Sequence, residues 1–192
     1  MEITDIKENI EVEPDTFIFT GSLNSFQNQN NLNYFIKNIW IPFSAKVPEA
    51  KLYITGDKEE ILLYKLNMTK ELLSKYNIVN LGFVDDIKQT ISSKQFVVSP
   101  TLYGSGIRLK VLEALSLKKV TFVSDIDYQM ASCFKDMENI VHYSNFEDFY
   151  NKYLKLKEEN SLLNQIENSG YNLVSEFFNW EKYAKDVEKE LK

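Results

Sequence analysis

Short apolar segments alternate along the chain with longer segments whose apolar residues recur at helical spacing. Six of the short runs are predicted to be strands, at residues 16–21, 51–56, 78–83, 95–98, 120–123 and 140–143. The helical spacing predicts helices at residues 32–40, 59–76, 86–92, 107–115 and 146–191. Ile41-Pro42 is expected to end the first helix, and the last is expected to break near Gly170. The amide-rich stretch at residues 22–31 is interpreted as a solvated loop with a helix cap.

Alternating strands and helices are typical of βαβ units, whose right-handed crossovers place helices on both faces of a parallel sheet. The expected fold class is therefore α/β, a doubly wound, six-stranded parallel sheet with Rossmann-like topology. Residues 1–15 are polar and are predicted to be a lead-in or linker, and residues 16–192 to form one domain. Ligands bind beyond the carboxyl ends of such strands. This places Gly21-Ser22, Phe83-Val84 and Gly104–Gly106 at one crevice.

Composition and charge restrict the function classes. The 192 residues, 44% of them hydrophobic, are enough for one sizeable core. A net charge of −6 disfavours nucleic acid or an anionic membrane surface as the main partner. The single cysteine, Cys133, permits no internal disulfide, and the single histidine, His142, disfavours chemistry that needs several histidines. The chain has no long apolar run and no signal peptide, so we expect it to be cytoplasmic.

The segment Ser99–Leu115 carries the strongest chemical signal. Gly104 and Gly106 separate a predicted strand from a predicted helix, so the turn brings unpaired backbone N–H groups to a helix N-terminus, which favours an anion. Arg108 and Lys110 fall in the first turn, where a cation opposes the helix dipole. Arg108 is the only arginine of the chain, and a guanidinium can bind phosphate bidentately. The pattern predicts a phosphate site.

Glu113 lies further along the same helix, roughly 8 Å down the axis at about 1.5 Å per residue. That separation suits a nucleotide ribose, whose hydroxyls donate hydrogen bonds to a carboxylate in dinucleotide-binding folds. The alternative interpretation is that Lys110 and Glu113 form an ordinary surface pair and that the glycines merely end a strand. The third glycine of a dinucleotide fingerprint and the P-loop motif are both absent, which disfavours nicotinamide, flavin and P-loop enzymes.

These segments resemble the C-terminal, donor-binding domain of GT-B-fold glycosyltransferases, in the group that contains bacterial glycosyltransferase family four. The resemblance covers nearly the whole chain after the lead-in, and the glycine loop with its helix carries it most specifically. The supporting segments are Phe19–Ser22 with Asn28 and Tyr34-Phe35, Leu52–Gly56, Asn80–Val84 and Phe178-Asn179-Trp180.

The resemblance implies a role for each matching residue. The residues implied at the donor diphosphate are Gly21, Ser22, Gly104, Ser105, Gly106, Ile107 and Arg108. Glu113 would hold the ribose, and Phe83 and Val84 would line the base pocket. Arg108 and Lys110 would be the catalytic residues, because they would neutralise the phosphates as the leaving nucleotide gains charge.

The implied function is transfer of a hexose from a UDP- or GDP-sugar to a glycan, lipid or protein acceptor by a retaining enzyme, without metal or cofactor. Its partners would be the nucleotide-diphosphate sugar and an N-terminal acceptor-binding domain or separate subunit. A membrane would be involved only through a lipid-linked acceptor. We expect this domain by itself to bind nucleotide and to transfer little sugar.

The alternative function is a non-catalytic binding or scaffolding domain, or a subunit that completes a split glycosyltransferase. Two departures from the family pattern favour it. Ser105 stands where many members carry a glutamate that contacts the donor sugar. A basic residue that commonly follows the first strand is absent, and Asn24 and Asn28 lie in its neighbourhood.

Overall fold

A computed structural model describes residues 10–106 and 108–178. Its six strands are β1 (Glu13–Phe19), β2 (Lys51–Thr55), β3 (Ile78–Gly82), β4 (Lys94–Ser99), β5 (Val120–Val123) and β6 (Val141–His142). They form one sheet in the order β3-β2-β1-β4-β5-β6, and each neighbouring pair is parallel. This confirms the predicted fold class. The strand order reverses between β1 and β4, where the loops diverge and leave room for a ligand.

Nine α-helices lie within the described residues. They are α1 (Phe26–Phe35), α2 (Ile41–Lys46), α3 (Glu59–Leu66), α4 (Lys70–Lys75), α5 (Ile87–Ser92), α6 (Leu109–Ser116), α7 (Asp125–Gln129), α8 (Phe146–Glu158) and α9 (Asn160–Phe177). The segment predicted as one helix at 59–76 is two, because Asn67 takes a left-handed conformation at the end of α3 and Thr69 caps α4. None of the described helices combines the length and apolar character needed to cross a bilayer.

The expectation that Ile41-Pro42 ends the first helix is wrong. The helix passes from α1 into a π-helical turn, Ile36–Trp40, and continues as α2. Pro42 lies in the first turn of α2. Pro42 has no N–H to donate, and it follows directly on the π-helical turn, where the regular α-helical hydrogen-bond pattern is already interrupted.

The core lies on both faces of the sheet, as the predicted two layers of helices require. Phe17 and Phe19 of β1 face one cluster, and Ile18 between them faces the other, with all three side chains buried. Phe17 is the centre of an aromatic cluster. The rings with centroids within about 6 Å of it belong to Trp40, Phe43, Phe96, Phe122, Phe149 and Tyr153. A strand buried on both faces in this way fixes the position of the loop that follows it.

The predicted break at Gly170 is also wrong, because α9 continues through this residue and the interruption lies at Glu159, between α8 and α9. A Cβ placed on Gly170 would lie 2.8 Å from Cδ2 of Leu115 and 2.9 Å from the carbonyl oxygen of Asn139. Glycine therefore stands here because it lets α9 pack closely against α6.

We expect Gly170→Ala to lower the free energy of unfolding by up to about 2 kcal/mol, because the added methyl group overpacks this contact at a cost of about 1–3 kcal/mol. The helix propensity of alanine offsets about 1 kcal/mol of that cost. Urea unfolding followed by circular dichroism measures the difference. Gln165→Ala, at an exposed position of α9, is the control and should change stability by less than about 0.5 kcal/mol. A Gly170→Ala protein more stable than wild type would contradict this account.

Candidate functional site

A crevice of about 540 Å³ opens at the carboxyl edge of the sheet. It is lined by the residues that follow β1, β2 and β3 and by one side chain of α6. The lining residues are Thr20, Gly21, Asn28, Thr55, Gly56, Phe83, Val84, Asp85, Ile87 and Lys110. Four of the residues singled out from the sequence, Gly21, Phe83, Val84 and Lys110, are therefore brought together here.

One wall of the crevice is bare backbone. Gly21 has φ +136°, in the left-handed region where side chains are strained. A Cβ on Gly56 would lie 2.8 Å from the carbonyl carbon and oxygen of Gly21 and 2.9 Å from the nitrogen of Ser22. The loops after β1 and β2 thus touch through their main chains.

Asp57 holds the loop after β1 in place. Its side chain is buried and accepts a hydrogen bond from the backbone N–H of Leu23, and the Ser22 hydroxyl lies 3.4 Å from its Oδ1. The Ser22 hydroxyl is thus directed at Asp57. Asp57 was not predicted from the sequence, although its place directly after a strand-ending glycine, Gly56, is a signal that could have indicated it.

Lys110 supplies a cation to the crevice. Its Nζ donates to the carbonyl oxygen of Thr20 at 3.1 Å and lies 4.4 Å from the ring centroid of Phe19. Burial lowers the pKa of Lys110 to about 8, and the nearby carboxylate of Asp127 acts in the opposite direction. Among the described residues, Lys110 forms no ion pair with Glu113, so the surface pair considered from the sequence is not formed.

The glycine loop after β4 is exposed at residues 104–106. Gly104 and Gly106 have φ +129° and +80°, and no atom lies within 4 Å of a Cβ placed on Gly106. The helix begins at Leu109, with Arg108 as its N-cap residue, so the first N–H groups of α6 face this open loop. Ser105 lies within the exposed turn, and Ile107 lies outside the described residues.

Arg108 turns towards the protein. Its Nε lies 3.5 Å from Oδ1 of Asp127, and its Nη2 donates to the carbonyl oxygen of Tyr103 at 3.3 Å. A Cβ on Gly104 would collide with the guanidinium, so the glycine allows Arg108 to pass beside the loop. Arg108 is not among the residues that line the crevice. Its contact with a diphosphate stays a prediction.

Glu113 and Phe83 are both available to a ligand. The Glu113 side chain is half-buried on α6, and its carboxylate has no hydrogen-bond or ion-pair partner among the described residues. Phe83 is 83% exposed although it borders the crevice. The ribose and base roles of these residues stay predictions as well.

The amide-rich stretch is not a solvated loop, because most of it forms α1 and its side chains bind the glycine loop. Asn31 is buried, and its Oδ1 accepts the backbone N–H of Leu102 at 3.1 Å. Asn30 donates to the hydroxyl of Tyr103 at 2.9 Å, and Gln27 donates to the Tyr103 carbonyl oxygen. These three amides recur at helical spacing, so they lie on one face of α1.

Asn28 performs the same task for the loop after β1, because its Nδ2 donates to the carbonyl oxygen of Ser22 at 3.0 Å. One helix therefore holds both the loop after β1, whose Gly21 lines the crevice, and the glycine loop, whose residues 104–106 are not among the lining residues. In the part of the chain that the structure describes, no three His, Cys, Asp or Glu side chains converge in a group that could hold a metal ion.

A sequence model of the family described as "Glycosyl transferases group 1" matches residues 14–159, which is well over half of the chain. The chain belongs to this family of glycosyltransferases. A curated relative is the UDP-Gal:alpha-D-GlcNAc-diphosphoundecaprenol alpha-1,3-galactosyltransferase of Escherichia coli, 23% identical over 175 residues. That match covers 90% of this chain but only 45% of the relative, so the chain spans about half of the relative's length.

Two solved glycosyltransferase structures share the fold. A variant of S. aureus TarM, in complex with UDP among other ligands, has a TM-score of 0.76 at 16% identity and covers 98% of this chain and 37% of its own. The C-terminal domain of the group 1 glycosyltransferase LpcC from Francisella tularensis has a TM-score of 0.65 at 19% identity and covers 89% of each chain. The predicted likeness to one half of a GT-B enzyme is therefore confirmed.

We expect Asn31→Ala to release the glycine loop, because the partly buried backbone N–H of Leu102 loses its acceptor. The Leu102 amide should then exchange its hydrogen with solvent at least about tenfold faster, as measured by NMR. Asn38→Ala removes an amide whose hydrogen bond, to the Tyr34 carbonyl oxygen, stays within its own helical segment, and should leave Leu102 unchanged. Equal exchange in wild type and Asn31→Ala would show that the amide does not hold the loop.

Proposed function

We propose that this chain is the donor-binding half of a glycosyltransferase that takes a hexose from a UDP-sugar and retains its anomeric configuration. The observation that carries the proposal is the position of Lys110. Its ammonium group lies beside the bare backbone of Gly21, while its own helix begins at the glycine loop. One diphosphate would therefore meet both loops and a cation at once.

The nucleoside would extend from that point along the crevice. The exposed ring of Phe83 offers a stacking surface for the base, with Val84 beside it. Glu113 would accept hydrogen bonds from the ribose hydroxyls, because its carboxylate is unpaired among the described residues. We choose uridine because the names of the E. coli relative and of the TarM complex both include it.

Catalysis at this site would be electrostatic. When the bond between the sugar C1 and the phosphate oxygen breaks, negative charge grows on the terminal phosphate of UDP. Lys110, Arg108 and the N–H groups at the start of α6 would stabilise that charge without reorganisation at the moment of reaction. These groups would offset much of the charge of a diphosphate, so we propose that no metal ion is required.

The acceptor would bind to a second domain or subunit outside these residues. The match covers less than half of the E. coli relative, which is consistent with a missing acceptor-binding half. That relative is named for a diphosphoundecaprenol acceptor, so we propose a lipid-linked or other glycan acceptor and contact with a membrane only through it.

Calorimetric titration of this chain with UDP in the presence of EDTA tests the proposal. We expect binding, unchanged by added Mg²⁺, and about tenfold weaker binding in Arg108→Ala and in Glu113→Ala, because each loses a charge-assisted hydrogen bond. Lys118→Ala removes a cation just beyond the far end of α6, over the ring of Tyr171, and should bind UDP as wild type does. Absence of binding to any nucleotide would contradict the proposal and favour a non-catalytic domain.

The affinity for UDP should fall as pH rises through about 8 and above, because Lys110 loses its proton there. The sign follows from charge, since only the protonated ammonium attracts the diphosphate. The affinity begins to fall near the pKa of Lys110 in the free chain and levels off above its higher pKa in the complex. Titrations between pH 6.5 and 10 measure this. Lys110→Ala should bind UDP more weakly than wild type, and its affinity should no longer fall between pH 8 and 10. If the affinity of the wild-type chain does not change over this range, Lys110 is not the titrating group.

A further inference from the structure

Asp127 is a buried carboxylate that no motif in the sequence indicates. It lies in α7, and its side chain reaches beneath the end of β4, with only 2% of its surface exposed. Its Oδ2 accepts hydrogen bonds from the hydroxyls of Ser99, at 2.5 Å, and Thr101, at 2.9 Å. These two residues end β4 and begin the glycine loop, so one carboxylate oxygen fixes the start of that loop.

The other oxygen, Oδ1, has no hydrogen-bond partner among the described residues. Burying a carboxylate oxygen without a hydrogen-bond partner costs free energy of folding unless a nearby positive charge compensates for it. The nearest cation is the guanidinium of Arg108, whose Nε lies 3.5 Å from Oδ1. The unsatisfied oxygen therefore points to Arg108 as its counter-charge.

We propose that Asp127 is a positioning residue for the donor diphosphate: its Oδ1 holds the only guanidinium of the chain beside the glycine loop, and its Oδ2 holds the loop itself. The role of Asp127 in donor binding rests on the proposed function, whereas its contacts with Arg108 and with the loop do not. Nε faces Asp127 and Nη2 bonds to Tyr103, whereas Nη1 of Arg108 has no hydrogen-bond partner in residues 10–106 and 108–178. That nitrogen is left for an anion.

The charges around Asp127 explain why a carboxylate is needed there. Arg108 and Lys110 are two cations close enough that the first lowers the pKa of the second, and Asp127 raises it. Burial raises the pKa of Asp127 itself, while the hydroxyls of Ser99 and Thr101 and the two cations oppose that change. Asp127 therefore favours the charged form of Lys110 beside the crevice.

Two further groups face this cluster from neighbouring elements. Tyr143 is fully buried, and burial raises its pKa well above the usual range, with Asp127, Tyr34 and Asp125 contributing. It stays neutral over the pH range in which Lys110 titrates. Asp125 lies two residues before Asp127 but is paired with His142, with 2.5 Å between Oδ1 and Nε2. It provides a matched control, since it carries the same charge on the same helix.

The first test needs no ligand. Because Arg108 is the only arginine, the chain gives one Nε–Hε signal in a ¹H–¹⁵N NMR spectrum. Asp127→Asn keeps the size of the side chain and an acceptor for the two hydroxyls, but removes the charge that faces Nε. We expect Hε to exchange with solvent at least about tenfold faster in Asp127→Asn than in wild type, and unchanged in Asp125→Asn. An unchanged signal in Asp127→Asn overturns the inference.

The second test measures UDP binding. At pH 7, Asp127→Asn should bind UDP about tenfold more weakly than wild type. The double variant, Asp127→Asn with Arg108→Ala, should have the same affinity for UDP as Arg108→Ala alone, because the two residues act as one unit. The loss of affinity at high pH should also begin at a lower pH in Asp127→Asn, which a merely structural role would not produce. Independent, additive losses or tighter binding in Asp127→Asn would contradict the inference.

The two tests separate failure of this inference from failure of the proposed function. A wild-type chain that binds no UDP contradicts the proposed function, while the NMR signal of Arg108 still decides whether Asp127 holds the guanidinium. Cooperative thermal unfolding of each variant shows whether it is folded. If Asp127→Asn does not fold, Asp127→Glu serves as the second variant. It keeps the negative charge but displaces it, and it should therefore change the chemical shift of the Arg108 Nε–Hε signal.

Discussion

The proposed function requires the glycine loop after β4 to expose its backbone to a ligand and yet to keep a fixed conformation. These two requirements conflict, because N–H groups directed at solvent cannot also hold the loop together. The structure resolves the conflict with hydrogen bonds from outside the loop. Asn31 accepts from Leu102, the Ser124 hydroxyl donates to the carbonyl oxygen of Thr101 at 2.6 Å, and Asp127 accepts from the Thr101 side chain.

These contacts rest on a core that leaves little freedom at the carboxyl edge of the sheet. The aromatic cluster around Phe17 fixes β1, and Gly56 brings the loop after β2 against Gly21. A cation such as Lys110 can then be placed close to backbone carbonyls at the cost of a lowered pKa. Under the proposed function the site is therefore organised before a ligand binds, which would reduce the entropy that binding must overcome.

Much of the fold could be predicted from the sequence, because each strand is a short apolar run and the glycines fall where the chain turns. The errors arise where packing or helix continuation overrides the local sequence signal. Pro42 resembles a helix stop but lies in a first helical turn, and Gly170 resembles a break but is a close packing contact. Neither difference is visible in spacing alone, since both depend on what the neighbouring elements do.

Only part of the candidate site could be predicted from the sequence, because some of its residues are adjacent in the chain and others are far apart. The residues of the glycine loop are adjacent in sequence, so their pattern can be recognised. The amides that hold the loop lie more than 70 positions away from it, and their helix shows no amphipathic pattern that would have indicated this role. Asp127 is one of 28 acidic residues and nothing local distinguishes it. Only the fold brings these side chains together.

The central claim is that a nucleotide diphosphate binds where the glycine loop meets α6. A crystal structure of this chain with UDP tests it most directly. The account predicts phosphate oxygens within hydrogen-bond distance of the backbone at residues 104–106 and of Lys110, with the ribose hydroxyls at Glu113 and the base against Phe83. Well-ordered UDP at any other place on the protein, with the glycine loop empty, would contradict it.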